Sequence, residues 1–529
     1  MGDDKGESEM SSIGEVKRIT DDSPKFREVL FARGYLFTDA EIDSNVFPFY
    51  GEWQTEKIYE YSLLVHPKAK YYALQTEDSS LVLIGHAYNP FDSLYDENEI
   101  LRKYADSEDK IGYFNQWTGV FTLIVVKKDG IEVWGDCAGM QCTFYGMLNG
   151  KKYVTSHTAI IETICNISTS DYVERLTKYK FYPLFGRQLP GDITPYFGFY
   201  RIIPNHMVTM TENVRVLRFF PTAEYKEYSS ADEISSAEAR IAKLLNKNLY
   251  LISQKWEKPA ISLTGGCDSK TTMACANGLQ DGFGYFSYDS SETETPDADA
   301  AASLCHALDL QHKRYYISRN DVDFPNLSEF ETIFEFNSGN IGKINANDIR
   351  KRIYFYSEDD SDVEVKSWVS ECGRAYYSKR FVKEKFPSKP TPHYLTTLYK
   401  VFLTDKKLIR ETDQIFAKYI NRYMSNDYYH YPWQEIFFWE FRMSSWNGLV
   451  ITGEHRTSYE ITIPYNNRVI VDLLLRMPLE YRMNDTAYGA IRKKADSRID
   501  KTGIAVTNVK HTRKRAYLER LYLEVESRI

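Results

Sequence analysis

Several features that would point to particular classes of protein are scarce in this sequence. Only seven of its 529 residues are cysteines, too few and too scattered for a disulfide framework, so we expect a reduced, cytoplasmic protein. Basic residues are not in excess: 66 Lys and Arg stand against 74 Asp and Glu, a net charge of −8. This balance argues against nucleic acid as the main ligand. No apolar run approaches the roughly 20 residues that span a bilayer, so no membrane contact is expected.

The chain is predicted to consist of three parts. Residues 1–25 are polar and charged, without periodic apolar positions, and are expected to form a mobile tail. Residues 26–225 contain short apolar runs broken by turn residues. Two of these runs, 119–126 and 131–134, predict a hairpin within an antiparallel β domain. Beyond that region, helix-like and strand-like segments alternate, which predicts an α/β domain over residues 226–529.

A strand, a glycine-rich loop and a helix are predicted in succession from residue 259. Residues 259–263 form a short apolar run typical of a buried parallel strand, and residues 264–269 read TGGCDS. The two glycines let backbone N–H groups approach a phosphate, and the following helix directs its positive end to the same place. A carboxylate at Asp268 suits phosphate binding only where a divalent cation lies between them. The pattern predicts an anion-binding loop.

The residues after this loop predict a parallel sheet. Residues 284–288 and 312–317 are strand-like, and residues 295–304 begin with an N-cap residue, a proline and acids, as helices do. A β-α-β-α-β order gives a parallel sheet with ligands at the carboxyl ends of its strands. The glycine-rich loop is expected at such an end.

Residues 264–269 resemble the pyrophosphate loop (Ser-Gly-Gly-x-Asp-Ser) of the ATP pyrophosphatases, with Thr264 in place of the first serine. Within that superfamily, most of the chain resembles the asparagine synthetase group. Further loose matches follow in the family's order at residues 85–89 (GHAYN), 136–139 (DCAG), 204–206 (PNH), 219–221 (FFP) and 460–468 (EITIPYNNR). The resemblance implies an α+β N-terminal domain, an antiparallel sandwich of the N-terminal-nucleophile (Ntn) type. An α/β parallel-sheet synthetase domain (PP-loop, HUP-like) with extra helices would follow.

The resemblance also implies a reaction. Members of the family use ATP to convert a carboxylate into an acyl-adenylate, with release of pyrophosphate, and an amine then displaces AMP to form an amide. This implies ATP and Mg²⁺ as cofactors, a small-molecule carboxylate as substrate, and ammonia or an amine as acceptor. Asparagine biosynthesis is one such role, but the substrate stays open among aspartate, a biosynthetic intermediate and a sugar acid. A homodimer is left open as the assembly.

Candidate site residues follow from the same resemblance. Binding of pyrophosphate and Mg²⁺ is expected at Thr264, Gly265, Gly266, Asp268 and Ser269, with Asp268 as the metal ligand. Leu263 and Ser287, at strand ends, are expected to meet adenine through their backbones. Residues 370–377 (SECGRAYY) stand where the family has Ser-Gly-Glu-Gly-x-Asp-Glu. There, Glu371 is the catalytic candidate for orienting or deprotonating the amine, and Arg374 the candidate for assisting departing pyrophosphate.

The sequence departs from the family at important positions. The family's glutamine-hydrolysing members begin with a nucleophilic cysteine, whereas this chain begins Met-Gly and its first cysteine is Cys137. We therefore expect an inactive amidotransferase-like domain without glutaminase activity, as in β-lactam synthetase and carbapenam synthetase. Arg374 or Ala375 replaces the family's metal-binding acid, so the metal site is expected to be reduced. The family's later lysine is also missing, and Arg492 is one candidate to substitute for it.

Two other functions stay open. A pseudoenzyme or scaffold that retains only nucleotide binding would account for the missing metal and lysine positions. A sulfur-transferring enzyme with the same kind of loop would give a role to Cys267, which lies inside it. In the ring-rich segment 438–448, Glu440 and Arg442 are expected to pair with each other or to bind a polar substrate.

Overall fold

The computed structural model describes residues 12–358, 360–425, 428–504 and 513–526. Its strands are β1 (Tyr35–Thr38), β2 (Gln54–Ile58), β3 (Tyr61–Val65), β4 (Tyr71–Gln75), β5 (Ser79–Tyr88), β6 (Thr118–Lys127), β7 (Gly130–Gly135), β8 (Phe144–Leu148), β9 (Lys151–Thr155), β10 (Phe199–Arg201), β11 (His206–Met210), β12 (Val214–Arg218), β13 (Pro259–Ser262), β14 (Gly284–Asp289), β15 (Lys313–Tyr316), β16 (Val363–Val365) and β17 (Glu460–Thr462).

The α-helices are α1 (Ser12–Asp22), α2 (Lys25–Val29), α3 (Glu97–Asp106), α4 (Lys110–Phe114), α5 (Thr158–Cys165), α6 (Asp171–Thr177), α7 (Ala231–Lys255), α8 (Cys267–Cys275), α9 (Thr295–Ala307), α10 (Leu327–Asn337), α11 (Ala346–Tyr356), α12 (Tyr376–Phe381), α13 (Pro392–Tyr399), α14 (Lys406–Tyr419), α15 (Trp433–Phe437), α16 (Leu449–Gly453), α17 (Arg468–Leu475), α18 (Leu479–Met483), α19 (Thr486–Ala495), α20 (Ser497–Lys501) and α21 (Arg513–Glu526). Short 3₁₀ helices span Tyr182–Phe185, Gln280–Gly282, Asp321–Asp323, Ser370–Arg374 and His455–Thr457, and π-helices span Ile420–Met424 and Phe438–Gly448. Within the described ranges, no helix has both the length and the apolar composition needed to cross a bilayer.

The strands up to β12 form two six-stranded antiparallel sheets. Their orders are β10-β8-β9-β1-β3-β2 and β12-β11-β7-β6-β5-β4. Phe37 of β1, Ile84 of β5 and Ile124 of β6 belong to one buried cluster shared by the two sheets. Alternating side chains reach opposite faces of a strand, which is why alternating apolar runs produce this packing. The predicted hairpin is β6 and β7, and the antiparallel character of this region is confirmed.

A third sheet contains five parallel strands in the order β15-β14-β13-β16-β17. Helices α8 and α9 connect β13 to β14 and β14 to β15, as the sequence predicted. Because β13 lies between β14 and β16, the loop after β13 opens at the centre of the sheet's carboxyl edge. The mixed α/β character, with a parallel sheet in the second half of the chain, is confirmed.

The predicted tail over residues 1–25 is wrong for its described part. Residues 1–11 lie outside the described residues, but residues 12–22 form helix α1. Val16 and Ile19 are buried in a cluster that includes Phe330 of α10. Apolar side chains three residues apart share one helix face, so this helix is held by burial of a narrow stripe in an otherwise polar segment.

Several motif residues hold the two halves of the chain together. The side-chain amide of Asn466 donates to the Gly119 carbonyl (2.6 Å) and to the Asp136 carboxylate (2.9 Å). Arg468 donates to the carbonyls of Gly135 and Asp136 at 3.0 and 3.2 Å. These contacts join the 460–468 motif to the 136–139 motif, so both contribute to the junction between the parallel and antiparallel sheets. The predicted boundary near residue 225 lies between β12 and α7.

Candidate functional site

The glycine-rich loop joins β13 to α8, and its own side chains close it. The Ser269 hydroxyl donates to the Thr264 carbonyl and accepts from the Thr264 N–H, both at 3.1 Å. The Thr264 hydroxyl accepts from the Gly266 N–H at 3.1 Å. Asp297, in the first turn of α9, accepts from the Gly265 N–H at 3.0 Å. Two N–H groups predicted to meet phosphate therefore already have acceptors within the chain.

Helix α8 begins directly after this loop, at Cys267, with Gly266 as its N-cap and no side chain capping it. The first N–H groups of an α-helix have no partner within the helix, so α8 directs uncapped donors and its positive end toward the loop. Arg492 of α19 lies beside this helix, 3.2 Å from both Cys267 Sγ and Thr271 Oγ1. Lys270 is close enough that the charge of Arg492 adds to burial in lowering its pKa. The positive end of the helix and two cations thus lie together, opposed by Asp268 in the first turn of α8 and by Asp500, which pairs with Arg492 at 2.8 Å.

The carboxylate of Asp268 is bound by neighbouring side chains. Ser370 donates to one oxygen at 2.8 Å, and Arg374 donates to the other at 2.5 Å. Arg374 also donates two hydrogen bonds to Asp485, at 2.9 and 2.8 Å, and Lys379 forms an ion pair with Asp485. Burial alone would raise the pKa of Asp485, but the hydrogen bonds from Arg374 and Lys379 lower it. Two acids and two bases thus form one charge-balanced network.

Glu371 lies next to this network, on the 3₁₀ helix Ser370–Arg374 that follows β16. Burial raises the pKa of its carboxyl above the ordinary 4.5, and the negative charge of Asp268 adds to the rise. Gly373 in the same turn packs so closely that a Cβ atom there would lie 2.8 Å from Leu474 Cβ. The turn that carries Glu371 is therefore tightly packed against α17. The structure brings Glu371, Arg374 and Asp268 together, as the motif resemblance predicted.

The donor set around Asp268 does not fit a metal ion held by the protein. Both carboxylate oxygens of Asp268 accept hydrogen bonds, one of them from a guanidinium that repels a cation. Across residues 12–358, 360–425, 428–504 and 513–526, no group of three or more His, Cys, Asp or Glu side chains is arranged to hold a metal. In this structure Arg374 occupies the position at Asp268 that a cation would take, and the role of Asp268 as a metal ligand stays a prediction.

Leu263 directly follows β13 as predicted, whereas Ser287 lies within β14, two residues before its end, and the polar groups of both bond inside the sheet. The Leu263 N–H donates to the Phe286 carbonyl at 2.8 Å, and the Leu263 carbonyl accepts from the Ser287 hydroxyl at 2.7 Å. The same hydroxyl lies 3.0 Å from His312 Nε2. Both residues are almost fully buried. Of the Leu263 backbone, only the second lone pair of the carbonyl oxygen is left to accept a hydrogen bond from adenine.

Cys267, Glu440 and Arg442 were candidates for other roles, and the structure shows what surrounds each of them. Burial raises the pKa of the Cys267 thiol, so the thiolate that sulfur transfer requires is scarce. Glu440 does not pair with Arg442: it binds Arg218 through two hydrogen bonds, at 2.5 and 2.9 Å. Side chains two residues apart do not face each other on a helix, which explains the failed prediction. Arg442 instead lies over the Trp446 ring, 4.4 Å from its centre.

Sequence reasoning missed two residues of the site. Asp297 contacts a loop glycine 32 positions earlier in the chain, and Asp485 contacts Arg374 across 111 positions. The acid in the first turn of α9 was visible as a helix-start signal, but its partner was not. For Asp485, which precedes α19, the sequence carried no signal beyond its place among the motifs of the second half.

Comparisons with known proteins give distant structural matches. Neither a protein-family model nor a curated protein sequence matches the chain. One matching structure is described as the allosteric regulatory enzyme of purine biosynthesis, with 12% identity and a TM-score of 0.25. Another is glutamine phosphoribosylpyrophosphate (PRPP) amidotransferase from B. subtilis complexed with ADP and GMP, with 11% identity and a TM-score of 0.20. Each match covers 51% of this chain and 62% of the other, and similarity this low supports no argument about function.

Proposed function

We propose that the protein is an ATP-dependent ligase that joins a small carboxylic acid to ammonia or an amine, with AMP and pyrophosphate as products. One observation carries the proposal: Arg374 connects Asp268 of the loop, at 2.5 Å, to the segment that bears Glu371. A phosphate-binding helix end, a cation and a carboxylate with a raised pKa thus share the carboxyl edge of one parallel sheet. This is the set that adenylation followed by amide formation needs.

Each residue has a role set by its position. The uncapped first turn of α8 and the cations Arg492 and Lys270 bind the triphosphate. A substrate carboxylate oxygen attacks the α-phosphorus, and the bond from that phosphorus to the bridging oxygen of pyrophosphate breaks. Arg374 stabilises the charge that develops on the leaving pyrophosphate.

Amide formation is the second step. The amine nitrogen attacks the acyl carbon, the bond to the AMP oxygen breaks, and Glu371 takes the proton that nitrogen loses. A carboxylate with a raised pKa is better suited to this transfer than an exposed one, because a base works best when its pKa is closer to the operating pH. No step is assigned to a protein-bound metal, since the residues around Asp268 do not fit one.

A specific observation also favours a second function, that of a scaffold that binds nucleotide without catalysis. The Gly265 and Gly266 N–H groups are bonded to Asp297 and to the Thr264 hydroxyl, and Asp268 is bonded to Arg374. A loop closed in this way binds phosphate only if these contacts are exchanged for contacts with the ligand. The two functions therefore differ in whether that exchange leads to chemistry.

ATP–pyrophosphate exchange separates the two functions. Purified full-length protein is incubated with labelled pyrophosphate, ATP and a panel of carboxylic acids. The ligase predicts exchange that depends on one class of acid, and Asp268→Ala is expected to abolish AMP release because Asp268 holds one guanidinium nitrogen of Arg374 at the loop. Asp129→Ala, in an exposed turn, is the matched control and should keep full activity.

Glu371→Gln tests the assignment of the second step. This variant should retain exchange while losing amide formation by about 10²-fold or more, the usual contribution of a positioned base. Absence of exchange with every acid, together with retained binding of a non-hydrolysable ATP analogue, would favour the scaffold. AMP release by Asp268→Ala at the wild-type rate would refute the site assignment.

A further inference from the structure

An open cleft of about 640 Å³ lies beside the candidate site. Its walls come from the 3₁₀ helix Tyr182–Phe185, helix α12, the π-helix Phe438–Gly448 and helix α21. Ligand pockets typically enclose about 300–1,000 Å³, so the cleft is large enough for an acid well beyond the size of an amino acid. We name it the basic cleft, for the charges described next.

Cations outnumber acids on its walls. The charged side chains that line the basic cleft are Lys379, Arg380, Arg442, Arg515 and Glu519. Arg380 and Arg515 bind the same carboxylate, Glu519, at 2.9 and 3.1 Å. One negative charge is thus shared between two guanidinium groups, and the wall keeps an excess of positive charge.

A buried lysine behind the cleft adds to this excess. Lys400 is 3% exposed and donates to the backbone carbonyls of Tyr182 (2.9 Å) and Gly186 (2.5 Å). Its pKa lies well below the ordinary value, first because of burial and then because of the charges of Arg442 and Arg380. Gly186 itself lines the cleft. Two carbonyl oxygens and the Tyr182 ring, 4.3 Å away, surround the Lys400 amine, and the positive charges of Arg442 and Arg380 beside it indicate a site that an anionic ligand would stabilise.

Aromatic rings give the basic cleft a second chemical character. The Arg442 guanidinium lies over the Trp446 ring at 4.4 Å, and Trp446 is 37% exposed. Tyr376 also lines the cleft. A stacked guanidinium presents its edge N–H groups to an anion, while the rings offer a flat apolar surface.

The basic cleft lies next to the candidate active site and is linked to it through Lys379. Lys379 lines the cleft and also pairs with Asp485, which binds Arg374. Arg442 and Lys379 both act on Glu371, where their positive charges oppose the rise in its pKa. A ligand in the cleft would therefore extend toward Glu371.

We propose that the basic cleft binds the remote end of a multiply anionic organic acid, the substrate whose reacting carboxyl reaches Glu371 and Arg374. This deepens the proposed function by naming a substrate class, and it rests on that function for the identity of the reacting group. The remote anionic group lies on Arg442 and Arg380, and the body of the acid packs against Trp446. A monoanionic acid whose only carboxyl reacts would place no negative charge on Arg442 and Arg380.

The test uses direct binding without ATP, so that it does not depend on catalysis. Isothermal titration calorimetry on the full chain at low salt compares benzene-1,3,5-tricarboxylate with benzoate, which share a ring and differ in charge. We expect the tricarboxylate to bind at least about tenfold more tightly, the scale of one additional charge-assisted hydrogen bond. Added salt should weaken its binding, because the cleft is open to solvent.

Substitutions of arginines that line the basic cleft test where the tricarboxylate binds. Arg442→Gln should weaken tricarboxylate binding about tenfold. Arg515→Gln, at a side chain 51% exposed and thus safe for folding, should weaken it about threefold by removing a screened charge. Arg102→Gln, an exposed arginine on α3, is the matched control and should bind as the wild type does. Far-UV circular dichroism checks the folding of each variant. If Arg442→Gln does not fold, the affinity of Arg515→Gln for the tricarboxylate decides the test.

The outcomes also separate this inference from the proposed function. Equal affinity for the two acids, or wild-type binding by folded Arg442→Gln and Arg515→Gln, would overturn the basic cleft as an anion site. Tight tricarboxylate binding without exchange by any acid would overturn the ligase and leave the cleft standing. Exchange that is specific for a monoanionic acid would overturn the substrate class and leave the ligase standing.

Discussion

Replacing Arg374 with glutamine tests the charge balance of the candidate site. The side chains of Arg374, Asp268 and Asp485 are 22–29% exposed. Breaking a buried ion pair by removing one partner costs about 3–5 kcal/mol, whereas an exposed pair is worth about 0–1 kcal/mol. Since this network lies between those limits, we expect Arg374→Gln to lower the free energy of unfolding by about 2 kcal/mol at pH 7.

The loss of unfolding free energy in Arg374→Gln should change with pH in a direction that the pKa shifts of Asp485 and Glu371 determine. The lowered pKa of Asp485 stabilises the wild type above the unfolded value of 3.8, and this contribution disappears as pH falls through the folded pKa. The raised pKa of Glu371 costs stability above its unfolded value of 4.5, and removing Arg374 should enlarge that cost. The Glu371 effect makes the loss of stability in the variant largest near pH 7 and smaller toward pH 4.5, whereas the Asp485 contribution is lost only below about pH 3.8.

Urea unfolding followed by tryptophan fluorescence at pH 7.5, 5.5 and 4.5 measures the difference. The double variant Arg374→Gln/Asp485→Asn should recover about 1 kcal/mol relative to the sum of the single variants, because it removes the carboxylate that the first change leaves unpaired. Arg18→Gln, which removes an exposed pair on α1, is the matched control and should change stability by less than about 0.5 kcal/mol. No loss in Arg374→Gln, or a loss that grows toward pH 4, would refute the reasoning.

Three further predictions concern the same half of the chain. Gly373→Ala should lower the free energy of unfolding by about 1–3 kcal/mol in urea titrations, since its Cβ would lie 2.8 Å from atoms of α17 and α19. Gly489→Ala in helix α19 is the control and should be neutral or stabilising, because its Cβ would meet only the Arg492 side chain, at an ordinary 3.7 Å. Glu440→Gln should cost about 3–5 kcal/mol and lower the thermal midpoint, because it leaves Arg218 buried without its carboxylate; an unchanged midpoint would contradict this. The rate of amide formation should rise with pH through a pKa above 4.5, since Glu371 acts only when deprotonated, and Glu371→Gln should lack that rise.

The central sheet could be predicted from the sequence because its signals are local. The apolar run before residue 264, the two glycines and the alternation of strand and helix each concern residues within a few positions of one another. The resulting order, β13 to β15 with α8 and α9 between them, is the observed one. Helix α1 was missed because only Val16, Ile19 and their neighbours mark its buried face, and a short apolar stripe in a polar segment resembles a solvated tail.

The pairing of charges could not be predicted, since sequence spacing does not tell which distant side chains meet. Arg374 was correctly expected near the loop, but its bond to Asp268 and its two bonds to Asp485 depend on how the Ser370–Arg374 turn and α19 pack against α8. The same gap affects the metal prediction. A carboxylate in a phosphate loop indicates a cation, but the sequence alone does not distinguish a metal ion from a guanidinium.

The position of Arg374 also bears on how the site would operate. A guanidinium fixed to Asp485 by two hydrogen bonds can exchange its single bond with Asp268 for one with a phosphate oxygen without leaving the site. A polyphosphate near Asp268 is repelled until that exchange occurs, so nucleotide binding and the movement of Arg374 must be coupled. In a ligase, the exchange brings the cation to the leaving group as the reaction begins. In a scaffold, the same exchange admits the nucleotide but no reaction follows it, so the two functions differ in what happens after Arg374 has moved.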